Sequence, residues 1–345
     1  MIPQVCHGDP LAARLDPMES RTAARLDRNV SVIGLGTWQL GADWGDVSEA
    51  DARAVLDAAV DSGVTFFDTA DVYGDGRSEQ FIGRYLESKP GHDIFVATKM
   101  GRREAQDPDN FTLVKFREWT ERSRENLQVD TLDLVQLHCP PSVTLVMDQV
   151  YDDLDVLVDE GVIANYGVSV ETVEEALAAI ERPNTASVQI ILNAFRLKPV
   201  SLVLPAAIEA GVAIIARVPL ASGLLSGKYT KDTTFAANDH RTFNRHGESF
   251  DVGETFSGVD FEQGVAAAQE FSALAEAHGL TPSVAALAWI AQLPGVTTVI
   301  PGARNVEQAR LNASAGSVPL LPAEFTASVI ELYDRYFRAA VHDRW

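Results

Sequence analysis

Short apolar runs alternating with longer segments of helical period dominate the chain from Val30 onward, and this alternation constrains the fold more than any other feature. The runs are Val32–Gly36, Val64–Asp68, Ile94–Lys99, Leu132–His138, Asn165–Ser169, Val188–Leu192, Val212–Arg217 and Thr297–Ile300. They are nearly continuous stretches of Val, Ile, Leu and Phe, as expected of strands covered on both faces in a parallel sheet. Between them, Ala52, Val55, Leu56, Ala59 and Val60 form one apolar helical stripe, and Val173, Ala176, Leu177 and Ile180 form another. Ser48 with Asp51 reads as a capping box at the start of the first helix, and Gly63 as the left-handed residue that ends it. Eight such units predict a single-domain α/β fold, a closed (β/α)8 TIM barrel, and a length of 345 residues is compatible with one barrel. A doubly wound open sheet competes, but its dinucleotide fingerprint would need a third Gly where Gln39 stands after Gly34-Leu35-Gly36, and no helix opens before Ser48.

Charge and composition narrow the partners. With 28 Lys and Arg against 49 Asp and Glu the net charge is -21, which repels nucleic acid and anionic lipid surfaces, so neither is expected as a partner. An anionic ligand would have to be held by local cations working against that field. The most apolar stretch, Val212 to Leu225, is interrupted by Arg217, Pro219 and Gly223 and falls short of a membrane span. Two cysteines, Cys6 and Cys139, and no export signal in the first thirty residues lead to a cytoplasmic expectation. Residues 1–17 lack periodicity and contain Pro3, Pro10 and Pro17. They are expected to form a weakly ordered tail ahead of a barrel domain over 18–345, with Met18 able to start the chain.

Barrel enzymes draw their reactive groups from the C-terminal ends of several strands. Here the second run ends on Asp68, the third on Lys99 and the fourth on His138, while Tyr73 follows Asp68 at short range. A phenol is a poor acid near neutrality, but an adjacent ammonium stabilises its phenolate. Lys99 is suited to that position, with Asp68 orienting it and His138 donating to the oxygen that Tyr73 protonates. Such a site polarises a carbonyl. Taken singly, Asp68 or Lys99 reads first as a structural salt-bridge partner, and His138 as a satisfied buried imidazole rather than a catalyst. Their joint occurrence on three successive strands favours a shared site. Cys139 reads as a buried spectator, and neither it nor His240 and His246 shows metal-ligand spacing, so no metal is expected.

At these residues the sequence resembles the aldo-keto reductase superfamily. The resemblance runs from about Ser31 to Asn312 through Gly34-Leu-Gly-Thr-Trp38, Phe67-Asp-Thr-Ala-Asp-Val-Tyr-Gly74, Thr98-Lys99 and Asp133-Leu-Val-Gln-Leu-His138. It implies a catalytic tetrad of Asp68, Tyr73, Lys99 and His138, with Tyr73 as general acid, and NADPH/NADP+ as cofactor. It also implies cofactor contacts from Gly36, Thr37 and Trp38, from Ser169 and Gln189 to the carboxamide, and from Arg217 where many members stack an aromatic. Val170 stands where the family places an Asn. Asn193 matches the strand-six pattern. The segment from Pro219 through Leu220, Ser222, Gly223 and Leu225 to Lys228 resembles the loop that wraps the pyrophosphate. Gly302, Arg304, Gln308 and Asn312 resemble the adenosine end, Arg304 on the 2'-phosphate. Trp38, Trp44 and Phe243 are candidates to line the substrate pocket beside Tyr73 and His138. The long polar stretch between Tyr229 and Val265 reads as a cover over the barrel mouth, with disorder as its rival.

The function so implied is NADP(H)-dependent reduction of an aldehyde or ketone to an alcohol. An NAD(P)-dependent sugar or alcohol dehydrogenase, and a nucleotide-sensing regulatory subunit with little turnover, are the alternatives.

Overall fold

The computed structural model describes residues 17–41 and 47–345. The expected tail over 1–17, apart from Pro17, and the candidate Trp44 therefore lie outside the described residues. Eight parallel strands follow in chain order around one sheet: β3 (Leu35–Gly36), β4 (Phe66–Asp68), β5 (Phe95–Met100), β6 (Leu134–His138), β7 (Tyr166–Ser169), β8 (Thr185–Ile191), β9 (Ala213–Arg217) and β10 (Val296–Val299). Parallel bridges Ile33 to Val299 and Gly36 to Gly302 join the last strand to the first, so the sheet closes into the expected barrel. Each of the eight apolar runs contains or overlaps one of these strands.

A two-stranded antiparallel hairpin, β1 (Ser20–Ala23) and β2 (Arg28–Ser31), precedes the barrel and was not anticipated. Its sequence, with three Arg and one Asp among small and polar residues, has no apolar run to announce a strand. Its function in the fold is nevertheless apolar: Leu26 and Val30 join Phe66, Phe95, Leu134, Ile215 and Ile300 in one buried cluster. Apart from Ile300, which directly follows β10, these partners are strand residues that fill the barrel, so the hairpin plugs the end opposite the strand C-termini and leaves that other rim as the open mouth.

Helices on the outside cover the second, larger core. Glu49–Asp61 buries Ala52, Val55, Leu56 and Ala59, as its stripe predicts. The Ser48 hydroxyl accepts from the Asp51 amide, and Gly63 is left-handed at φ 89°. The fully reciprocal capping box occurs instead at Thr172 and Glu175, where the Val173–Ile180 helix begins. Among the described residues no helix is long and apolar enough to cross a membrane.

Met18 packs against the core close to Gly63 and Gly316. Deleting residues 1–17 is therefore expected to leave activity unchanged and to move Tm by less than about 2 °C, since the deleted sequence has no apolar stripe to bury. A larger fall, measured by calorimetry, would show that the tail belongs to the core.

Candidate active site

Strand register sets the first three side chains. Asp68 closes β4, Lys99 lies near the end of β5 and His138 ends β6, and parallel pairing brings all three to the open rim. Tyr73 arrives on a turn after β4, in which the Tyr73 amide donates to the Ala70 carbonyl and the Asp71 amide to the Lys99 carbonyl. Gly74 is left-handed at φ 60°, and a side chain there would overlap the backbone of Gly41. That close approach seats the Trp38–Gly41 turn on the Tyr73 loop, with the Trp38 and Tyr73 rings stacked at 6.1 Å.

The four expected groups do meet. Lys99 Nζ donates to Asp68 Oδ1 at 2.6 Å and to the Thr69 carbonyl at 2.8 Å, and it lies 3.5 Å from the Tyr73 hydroxyl. The His138 ring stands edge-on to Tyr73 at 5.9 Å. Lys99 is 1% and Asp68 3% exposed, so both charges are out of water. Burial alone would lower the basicity of Lys99, but the Asp68 carboxylate and Tyr73 outweigh it and hold the ammonium above its ordinary value. Tyr73 differs from the sequence expectation. Burial penalises its phenolate more than Lys99 favours it, so the phenol sits above its usual pKa and stays protonated. His138 is pushed well below the usual imidazole range by burial and by the cations Arg102, Lys99 and Arg217, and is neutral near pH 7. Among the described residues its Nδ1 is buried without a hydrogen-bond partner.

The remaining expected residues divide by what they touch. Thr37 and Ser78 are spent on structure, the Thr37 hydroxyl donating to the Asp68 carbonyl at 2.8 Å. Gln189 donates to Asp68 Oδ2 at 2.7 Å, which leaves its carbonyl end for other partners. Ser169 is buried at the end of β7 beside Cys139 Sγ, 3.6 Å away. Burial lifts the Cys139 thiol to about 12, so the cysteine is an inert neighbour. Asn193 is fully committed: its amide donates to the Val218 carbonyl and to Ser257 Oγ and accepts from the Phe195 amide.

Behind β9, the Pro219–Lys228 segment forms a 3-10 turn over Ala221–Ser226. Val218, Ala221 and Ser222 are left-handed there without being glycine, a costly backbone that persists only where its surroundings demand it. Leu225 is buried in the core and Lys228 is exposed, while Gly223 makes room for the Tyr229 hydroxyl. At the far end Asn305 caps the Val306–Ser314 helix, Gln308 accepts from the Arg304 amide at 2.9 Å, and Asn312 donates to the Gly302 carbonyl at 3.1 Å. Arg304 itself is exposed at this helix N-terminus, within electrostatic reach of Arg241.

The stretch after Tyr229 is a built cover. It holds a short helix, His240–Phe243, and two 3-10 turns, Val252–Glu254 and Phe256–Gly258. Asn244 ties it together, donating to Thr255 and accepting from the Ser249 and Phe250 amides. His240 and Phe250 come to 5.1 and 6.3 Å from Trp38. Phe243 does not line the pocket: it is 40% exposed and packs edge-on to Phe250.

Sequence reasoning missed an ion-pair chain at the mouth. Glu254 Oε1 lies 2.9 Å from Arg102 and 3.8 Å from Arg217, and Arg217 pairs with Glu171 at 2.8 Å. Arg217 is thus a buried member of a four-residue network. Burial raises the Glu171 pKa, whereas Arg102 and Arg217 overcome burial at Glu254 and hold it below the usual carboxylate range. Cys139, Glu171 and Glu254 also bring three metal-capable atoms within 4.8 Å of one another, but the two guanidinium groups already balance both carboxylates. No local motif marks Glu254, which meets Arg102 across 152 residues of sequence.

A (β/α)8 barrel with an Asp, Tyr, Lys and His cluster on its open rim is the frame of a barrel oxidoreductase. The chain belongs to the aldo/keto reductase family, whose model matches residues 32–334. It is 34% identical over 316 residues to an aldo-keto reductase of Strobilurus tenacellus, covering 86% of this chain and 88% of that one. Its structure is similar to a glycerol dehydrogenase from Gluconobacter oxydans, with a TM-score of 0.76, 30% identity and coverage of 92% and 95%. It is similar also to an aldo-keto reductase from Klebsiella pneumoniae solved in complex with NADPH, with a TM-score of 0.69, 25% identity and coverage of 92% and 96%.

Proposed function

We propose that the protein reduces an aldehyde or ketone to the alcohol with NADPH, Tyr73 supplying the proton. The observation that carries this reading is the buried Lys99 ammonium, held by Asp68 at 2.6 Å and set 3.5 Å from the Tyr73 hydroxyl. A protonated phenol beside a fixed cation is an acid that can release its proton when charge develops on a nearby oxygen, because the phenolate left behind is stabilised at once. Neutral His138 still carries one N–H to donate to that same oxygen. The Trp38 ring, stacked on Tyr73, packs in turn against His240 and Phe250 and so brings apolar surface to the side of the phenol.

The residues fit a nicotinamide dinucleotide phosphate. Arg304 is exposed beside Arg241, which is itself paired with Asp239, so in a protein of net charge -21 Arg304 is the local cation suited to an anionic phosphate. When bound, the nicotinamide supplies the hydride. Ser169 and the carbonyl end of Gln189 would hold its carboxamide, Arg217 its ring face, Gly36 and Trp38 and the Pro219–Lys228 turn the middle of the molecule, and Gly302, Arg304, Gln308 and Asn312 the adenosine end. The Klebsiella relative solved with NADPH supports this choice.

The same groups run backwards, the Tyr73 phenolate taking the proton of an alcohol. The likeness to a glycerol dehydrogenase therefore favours sugar or alcohol oxidation as the second reading. A purified sample offered NADPH with a panel of aldehydes and ketones, and NADP+ with polyols and sugars, is expected to turn over at least one panel as followed by cofactor absorbance. Tight nucleotide binding with no turnover in either direction would overturn catalysis in favour of a nucleotide-sensing subunit.

A further inference from the structure

The segment 251–258 crosses the mouth as a strap. Its inner side is tied to the barrel: Glu254 pairs with Arg102 and Arg217, Ser257 Oγ accepts from Asn193, and Ser222 Oγ accepts from the Phe256 amide while donating to the Glu254 carbonyl. Elsewhere Asn244 donates to Thr255 and Phe235 and Phe261 pack on Phe256, while Trp345, far away in sequence and only 5% exposed, meets the strap at Asp251, Gly253 and Gly258. Trp345 Nε1 donates at 3.0 Å to Asp251 Oδ1, the atom that also accepts from the Gly253 amide at 2.7 Å. A side chain at Gly258 would overlap the indole, and one at Gly253 would crowd it. The Arg196 guanidinium lies 4.2 Å over the same ring and donates to the Glu171 carbonyl. Phe256 and Ser257 hold left-handed φ of 54° and 60°, a conformation that needs contacts on several sides to persist.

We propose that Trp345 is a positioning residue for the mouth: it fixes the strap at Asp251 and, through Glu254, the Arg102 and Arg217 guanidinium groups beside His138. The inference rests on the reading above only where it concerns nucleotide; its effect on the strap does not depend on it. Tyr73, Lys99 and Asp68 are held by contacts of their own, so loosening the strap changes binding more than the proton transfer.

The test compares Trp345→Ala, Trp345→Phe, Glu254→Gln and the Trp345→Ala/Glu254→Gln double variant of the full chain. Hydrogen exchange is expected to rise by about tenfold or more in Trp345→Ala over 251–258, with the barrel strands unaltered, and by less in Trp345→Phe, which keeps the packing and loses the Nε1 bond. By calorimetry the Kd for NADPH is expected to rise about five- to twentyfold in Trp345→Ala, with kcat at saturation changed less than about threefold. The double variant should bind NADPH no more weakly than Glu254→Gln alone, because the two act through one element. Unchanged exchange in the strap, exchange rising equally throughout the barrel, or additive losses of affinity would each overturn the proposal. Wild-type protein that binds no NADPH would defeat the functional reading, while the exchange comparison would still judge the strap.

Discussion

Tyr73→Phe is expected to lower carbonyl reduction by about 10²- to 10⁴-fold at saturating cofactor, the range general acid catalysis supplies, and to change the Kd for NADPH by less than about twofold. The hydroxyl is the only atom removed. The ring keeps its stack with Trp38 at 6.1 Å and its place over Lys99 Nζ at 5.1 Å from the centroid. Tm should therefore move little. Lys99→Met is a less clean experiment, since it strands Asp68 as a buried carboxylate without its cation, a change that typically costs about 3–5 kcal/mol of stability. Its loss of turnover is expected together with a clear fall in Tm, whereas Tyr73→Phe should lose turnover alone. Retention of most of the wild-type turnover by Tyr73→Phe, in an assay limited by chemistry, would remove Tyr73 as the acid.

What the sequence made legible follows from how local each signal is. Strands covered on both faces write themselves as apolar runs, so Phe66–Asp68 and Leu134–His138 could be found without partners, and the polar residue ending each run was thereby placed on the rim. The hairpin Ser20–Ser31 could not, because Ala23, Leu26 and Val30, the three residues it contributes to the barrel cluster, are scattered among mostly polar neighbours. Non-local charge pairing was equally invisible. Arg217 was identified by position, yet its partners Glu171 and Glu254 lie on two different loops, and only the closed barrel brings them together. The phenol shows a further limit: proximity to Lys99 could be anticipated, but the competition between that charge and desolvation depends on a degree of burial that a sequence does not display.

Cofactor choice offers the second large effect, and here the long-range field and the local contacts oppose each other. A 2'-phosphate carries extra negative charge towards a protein of net charge -21, so NADPH can be preferred to NADH only if nearby cations outweigh that field. Arg304 is placed for this at the Asn305-capped helix, where its backbone is fixed by the Gln308 side chain at 2.9 Å. Desolvation and the Arg241 charge press its guanidinium below its ordinary basicity, against the opposing pull of Asp239, which pairs with Arg241, and an anion at Arg304 would add attraction there. A hydrogen bond to a charged group contributes about 1.5–3 kcal/mol, so Arg304→Ala is expected to weaken NADPH by about tenfold to a hundredfold. NADH lacks the phosphate and should shift by less than about twofold, and the NADPH loss should shrink as salt screens the exposed contact. Titrating both cofactors by quenching of tryptophan fluorescence, in wild type and variant, decides between the possibilities. Equal losses would assign Arg304 to the pyrophosphate or the fold, and a wild-type preference for NADH would overturn the choice of NADPH.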